Sequence, residues 1–90
     1  MNTTQANKIL KTKGYEKIFE VSFPGNHIND THTHPFDAEI IIIKGSISIT
    51  VNDNKKLLTN GDRLALSANT EHSEHVGPDG VTFLAGRNEV

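Results

Sequence analysis

Histidine is the residue type most suggestive of chemistry in this chain of 90 residues. The chain contains five histidines, and His27, His32 and His34 lie close together. One residue separates His32 from His34, and in an extended chain that spacing projects both imidazoles from one face, about 7 Å apart. Two such imidazoles can bind one metal ion at about 2.0 to 2.1 Å. The pair therefore indicates a metal site, with two ordinary surface histidines as the simpler interpretation.

Two further residues complete a candidate ligand set. Glu39 follows the pair at the start of the apolar run Ile40–Ile43, and His72 comes from a separate segment almost forty residues later. Three neutral imidazoles and one carboxylate suit a borderline divalent metal, namely Zn, Fe, Mn, Ni, Co or Cu. Asp37 is the alternative carboxylate, because the segment around it could turn its side chain toward the same ion.

The composition excludes several classes of function. The absence of cysteine rules out disulfides, thiolate ligands and cysteine nucleophiles. Nine basic against eleven acidic residues give a net charge of −2, which argues against a nucleic acid or an acidic membrane as the partner. A membrane span needs about 20 apolar residues, and the longest apolar run is far shorter. Without an apolar signal segment near its start, the chain is predicted to be cytoplasmic.

The elements that must position the histidines are mostly strands. Nine Ile, five Val and nine Thr favour a pleated structure. Alternation at residues 19–23 and 47–51 predicts strands with one face on a core, and Asn52-Asp53-Asn54 predicts a hairpin turn. Short strands with turn signals every ~8 to 12 residues, including a turn at residues 77–80, predict an all-β sandwich or barrel.

The first fourteen residues differ from the rest. Apolar residues on one face predict a short helix over Thr4 to Lys13, with Gly14 as the residue that ends it. We therefore divide the chain into an N-terminal helical segment, residues 1–14, and a single β domain, residues 15–90.

The isoleucine run predicts a strand that is buried on both faces. If Glu39 points inward, Ile41 and Ile43 do so too, and Ile40 and Ile42 face the other way and need cover. A second copy of the chain would supply that cover, so we expect a homodimer.

The order of these residues resembles the two motifs of the cupin superfamily. The first motif is represented by Gly25, the His32-Thr33-His34 triplet, Glu39 and Gly45, with two gaps that each differ by one residue from the usual spacing. The second is represented by Gly61 and His72. It departs from the usual pattern at three positions: Ser67 replaces a proline, Asn69 a glycine and Val76 an asparagine. Asn tolerates the left-handed backbone that Gly supplies, so the second replacement is mild.

The resemblance covers about residues 15 to 87 and is greatest to small, single-domain bacterial cupins. It implies a small RmlC-like jelly-roll barrel preceded by one short helix, with a divalent metal held by His32, His34, Glu39 and His72. One hypothesis for the function is then a metal-dependent cupin that acts on a small polar substrate as an oxygenase, isomerase or lyase. The alternative is a non-catalytic barrel that binds or senses a small ligand.

The two remaining histidines and both arginines are predicted to have roles outside the metal site. His27 and His75 are predicted to lie outside the metal site, and strand alternation places His72, Glu74 and Val76 on one face. Arg63 and Arg87 are assigned to surface salt bridges, with an anionic ligand as the alternative partner.

Overall fold

The computed structural model describes residues 1–89. Within them the chain forms one helix and six strands, which are α1 (Thr3–Thr12), β1 (Lys17–Phe23), β2 (Ile28–His32), β3 (Phe36–Val51), β4 (Asn54–Thr59), β5 (Arg63–Leu66) and β6 (His72–Glu89). The prediction of an all-β domain behind one short helix is confirmed.

The two long strands, β3 and β6, organise the barrel. They pair with each other along most of their length, and all strand pairs are antiparallel. The first half of β6 also pairs with β2 and its second half with β1, whereas β3 pairs first with β5 and then with β4. Each long strand thus contributes to both walls, as in a jelly roll. The core between the walls contains Ile42, Ile47, Ile49, Leu58, Val76, Val81 and Phe83.

Several of the predicted strand features are confirmed. Asn52 and Asp53 form a two-residue loop, both with left-handed backbone at φ 50° and 65°, as a tight hairpin requires. Ile47 and Ile49 are buried, as their alternation indicated.

The turn predicted at residues 77–80 is wrong. This segment is a bulge within the continuous strand β6, because Val76 pairs with Ile47 and Val81 with Gly45. Four residues of β6 therefore lie opposite the single residue Ser46 of β3. A bulge bends a strand without ending its pairing, so the glycines that suggested a turn serve here to bend β6 from one wall to the other.

Helix α1 ends in a Schellman motif that directs the chain back onto the barrel. The Tyr15 N–H donates to the Leu10 carbonyl at 3.2 Å and the Gly14 N–H to the Lys11 carbonyl at 2.9 Å, with Gly14 at φ 92°. Gly14 thus has the predicted role. The helix itself runs from Thr3 to Thr12, one residue earlier than predicted at each end.

The helix covers the second face of the isoleucine run, which corrects the predicted orientation of that strand. Ile42 lies in the barrel core and Ile40 lines the interior, whereas Ile41 packs with Ala6 and Leu10 of α1. The face that was expected to need a second copy of the chain is therefore the interior of the barrel. The cover on the opposite face comes from the chain's own first residues.

Candidate metal centre

Three histidines converge on one wall of the barrel interior. His32 ends β2 and His72 begins β6, and the two residues are direct partners in the sheet. His34 follows in the link to β3. The ring centroids are 4.3 Å apart for His32 and His72, 4.9 Å for His32 and His34, and 5.2 Å for His34 and His72. One nitrogen from each ring lies within 4.8 Å of the others.

These distances fit a shared metal ion after small side-chain shifts. Ligands at about 2.1 Å from one tetrahedral ion are about 3.4 Å apart, so ring nitrogens within 4.8 Å of one another need to close by up to about 1.4 Å. Rotation about the side-chain bonds of His32 and His34, which are only half-buried, can provide that movement.

Hydrogen bonds fix which nitrogen of two rings can bind a metal. Nδ1 of His32 lies 2.6 Å from the Asp30 carbonyl oxygen, and Nδ1 of His72 lies 2.9 Å from the Thr70 carbonyl oxygen. A carbonyl only accepts, so Nδ1 carries the proton in both rings and Nε2 offers a lone pair. Metal-bound histidines are oriented by this kind of second hydrogen bond.

The surroundings of His34 lower the pKa of its imidazole. Burial lowers the pKa of its imidazole, and positive charge on His32, His72 or Arg87 lowers that pKa further, while Glu74 opposes the effect. The link that carries His34 is anchored by the Asn69 N–H, which donates to the His34 carbonyl at 2.7 Å. Asn69 has φ 63°, so it adopts the left-handed backbone that was expected where cupins usually have glycine.

Glu39, the predicted fourth ligand, lies on the other side of the sheet. The Lys13 ammonium donates to both of its carboxylate oxygens at 2.9 Å, and the Tyr15 hydroxyl donates to Oε1 at 3.2 Å. Alternation along β3 explains the difference, because Glu39 shares a face with Ile41 beneath the helix, whereas Ala38 and Ile40 line the barrel interior. The assignment of Glu39 to the histidine cluster is therefore corrected.

Asp37, the alternative carboxylate, is also outside the cluster. It is exposed, and its carboxylate accepts the Ala68 N–H at 2.8 Å. This bond ties the start of β3 to the loop before β6 on the outer face of the barrel.

The carboxylate that does lie beside the histidines is Glu74, which was not predicted as a site residue. Its Oε1 is 3.9 Å from Nε2 of His32 and accepts Nδ2–H of Asn29 at 2.9 Å. The Oδ1 of Asn29 lies in turn 2.9 Å from Nε2 of His27. Strand alternation from His72 already placed Glu74 on the inner face, so the sequence contained the signal that would have found it.

The two histidines that were predicted to lie outside the metal site, His27 and His75, are outside the three-ring cluster. His27 stacks on Phe23 with ring centroids 4.7 Å apart, and His75 is exposed on the outer face of β6. Val76, the departure from the second motif, is a fully buried core residue rather than part of the cavity wall.

The three rings border a cavity of about 550 Å³ inside the barrel. Its wall is mostly apolar, and the side chains around the histidines include Phe36, Ile40, Leu64 and Phe83. Glu74 and Arg87 supply opposite charges on the same wall. A cavity of this size and composition suits a small molecule held by a few polar groups.

Several solved structures with this architecture are named as cupins. An RmlC-like cupin from Shewanella frigidimarina NCIMB 400 is similar with a TM-score of 0.73 and 18% identity, covering 81% of this chain and 65% of that one. A cupin superfamily protein from Desulfitobacterium hafniense DCB-2 gives a TM-score of 0.66 and 19% identity, covering 79% and 76%. The domain therefore has the cupin fold.

The same barrel also forms part of longer proteins. An HTH_3 family transcriptional regulator from Vibrio cholerae is similar with a TM-score of 0.70 and 13% identity, covering 81% of this chain but 42% of that one. No protein-family model matches the sequence, and no curated protein is detectably similar to it. In the part of the chain that the structure describes, no helix is long and apolar enough to cross a membrane.

Proposed function

We propose that this protein binds one divalent metal ion through His32, His34 and His72 and uses it to hold a small ligand in the barrel. The observation that carries the proposal is the convergence of three imidazole nitrogens within 4.8 Å on the wall of an apolar cavity. In two of the three rings Nδ1 faces a backbone carbonyl oxygen, so that Nε2 is the nitrogen that the neutral imidazole offers to a metal. Three imidazoles form a donor set that suits borderline metals such as Zn, Fe, Co, Ni or Cu.

Glu74 replaces Glu39 as the acidic member of the proposed site. Its carboxylate is held by Asn29 beside His32, which places it to complete the ligand set or to accept a proton from a bound ligand. Glu39 instead neutralises Lys13 beneath the helix. We therefore expect Glu74→Gln to weaken zinc binding about tenfold, and Glu39→Gln to leave the zinc affinity unchanged within about twofold.

The proposal includes catalysis by an oxygenase, isomerase or lyase reaction. A bound metal would supply a Lewis acid or a hydroxide at neutral pH. The chain itself contributes the apolar wall that excludes water, the three imidazoles that fix the position of the ion, and Glu74 as a proton acceptor. Oxygen uptake or product formation by the metal-loaded protein with small diketones, thiols or hydroxy acids would establish this form of the proposal.

Ligand binding without catalysis is the second candidate. It is favoured by the similarity to a protein named as a transcriptional regulator, in which a barrel of this fold forms less than half of the chain. Saturable binding without turnover, in the same assays, would support this candidate over the enzyme.

The experiment that tests the metal site uses the untagged protein, purified without a metal column. We expect about one equivalent of a divalent transition metal per chain, and a clear fall in melting temperature after chelation that is reversed by adding the metal back. Protein that contains no metal and whose melting temperature responds to neither a chelator nor added zinc, nickel, cobalt, manganese or iron would overturn the proposal.

A further inference from the structure

Arg87 gives the cavity a positive charge at a position set by two aromatic rings. Its guanidinium carbon lies 5.0 Å from the ring centre of Phe19 and 4.6 Å from that of Phe36. Both distances are within the range of a cation–π contact. The side chain is half-buried, and Arg87 and both phenylalanines line the cavity. The cation is therefore held in the wall of the cavity rather than on the open surface.

The Phe36 ring also connects Arg87 with the histidine cluster. His34 stacks on Phe36 with ring centroids 5.0 Å apart and an interplanar angle of 15°. The guanidinium and the nearest imidazole thus pack on the same phenyl ring. A small ligand that reaches the histidines is therefore also within reach of the arginine.

The other charges on the wall, those of Asp30 and Glu74, disfavour a ligand with more than one negative charge. Asp30 and Glu74 line the cavity together with Arg87, and the other lining residues are apolar apart from Asn29 and the three histidines. A dianion would be repelled by the two carboxylates, whereas a monoanion can bind the guanidinium with two parallel hydrogen bonds. The apolar wall would cover an apolar body attached to that anion.

We propose that Arg87 is a specificity-determining residue that binds the carboxylate of a small monocarboxylic acid whose apolar body lies in the barrel. The Arg87 proposal identifies the class of ligand that the barrel would hold. It rests on the proposed function for the role of the histidines, whereas the role of Arg87 is independent of that function. The contact between Arg87 and the carboxylate needs no metal, so it can be tested in the metal-free protein.

The test compares benzoate with benzamide, which has nearly the same shape but no charge. In NMR titrations of the metal-free protein at neutral pH, we expect benzoate to bind at least about tenfold more tightly than benzamide. Arg87→Gln should remove this preference, so that the two probes bind equally, and Arg87→Lys should retain part of it. Comparing two probes on one variant cancels any general weakening of its cavity.

Arg63→Gln is the matched control. Arg63 is an exposed residue at the start of β5, outside the cavity wall, and its substitution removes the same charge. We expect this variant to keep the full preference for benzoate. Backbone NMR spectra of each variant confirm that the barrel is intact.

Three results would overturn the proposal. They are equal binding of benzoate and benzamide to the wild type, a preference for benzoate that survives in Arg87→Gln, and tighter binding of phenyl phosphate than of benzoate. A preference that depends on Arg87 in a protein that binds no metal would support this inference while contradicting the proposed metal site, so the two failures are distinguishable.

Discussion

At the scale of single residues, the metal site depends on which histidines share the inner face of the barrel. His72 is almost completely buried and adjoins both other rings, whereas His75 lies on the same strand with its side chain on the outer face. The two residues are three positions apart on β6, so their side chains point to opposite faces of the strand. They therefore form a matched pair for substitution.

We predict that His72→Ala reduces zinc affinity by more than the roughly 10- to 100-fold loss that follows removal of an outer hydrogen-bond partner, because it removes a ligand itself. His75→Ala should leave the affinity unchanged. Isothermal titration of the metal-free variants with zinc measures both values. Equal affinities for the two variants would show that His72 is not a ligand.

The pKa of Tyr15 depends on the contact between its hydroxyl and Glu39. Burial raises the pKa of its phenol, and the negative charge and hydrogen bond of Glu39 raise it further, with a smaller contribution from Asp37. The folded protein thus retains this proton to higher pH than the unfolded chain does. This difference in pKa contributes to the stability of the folded protein. The contribution is fully present below a pH of about 10 and is lost as the pH rises toward the raised pKa of Tyr15.

We predict that Glu39→Gln lowers the pKa of Tyr15 toward its ordinary value but leaves it raised, since burial is the largest cause. Asp37→Asn should lower it less. Tyr15 is the only tyrosine and the chain lacks tryptophan, so the near-ultraviolet absorbance of tyrosinate follows this one group. An unchanged titration in Glu39→Gln would contradict the contact between the two side chains.

At the scale of elements, the short helix decides which face of β3 is the interior. The sequence motif correctly grouped His32, His34 and His72, because extended strands and their pairing bring such residues to one face. It misassigned Glu39 because the isoleucine run is apolar on both faces, and alternation alone does not say which face the barrel encloses. The answer depends on a long-range contact, namely the packing of Ala6 and Leu10 on Ile41.

The bulge at residues 77–80 is a second feature that local sequence patterns could not determine. Gly and Pro clusters predict a change of chain direction, and β6 does bend there. Whether the strand then ends or continues depends on a partner more than thirty residues away, since β3 pairs with β6 on both sides of Ser46. Local turn signals contain no information about that partner.

The end of the helix can be tested at Gly14. Its φ of 92° is unfavourable for a residue with a Cβ atom, so Gly14→Ala should lower the free energy of unfolding by about 1 kcal/mol. Gly14→Asn should cost less, because Asn tolerates the left-handed region. Urea unfolding of the three proteins measures the difference. Equal stabilities would contradict the Schellman motif at this position.

At the scale of the whole molecule, we propose that the protein is a homodimer with an interface at the mouth of the cavity. The isoleucine run is covered within the chain, but Phe19 and Ile28 at the cavity are 46% and 60% exposed. Apolar side chains at the edge of a ligand cavity suit an interface that would also keep water out of it.

We expect a dimer in sedimentation velocity at micromolar concentration, and a shift toward monomer in Phe19→Ser. Leu57→Ser is the control, because Leu57 is 63% exposed but lies on β4, away from the cavity. A wild-type monomer, or the same shift with both variants, would count against an interface at the cavity.

Anomalous diffraction from crystals of the zinc-loaded protein can test whether His32, His34 and His72 bind one metal ion. We predict one zinc peak per chain, between Nε2 of His32, Nε2 of His72 and a ring nitrogen of His34, on the cavity side of the sheet. A zinc ion at Glu39 beneath the helix, or no zinc at the three imidazoles, would contradict it.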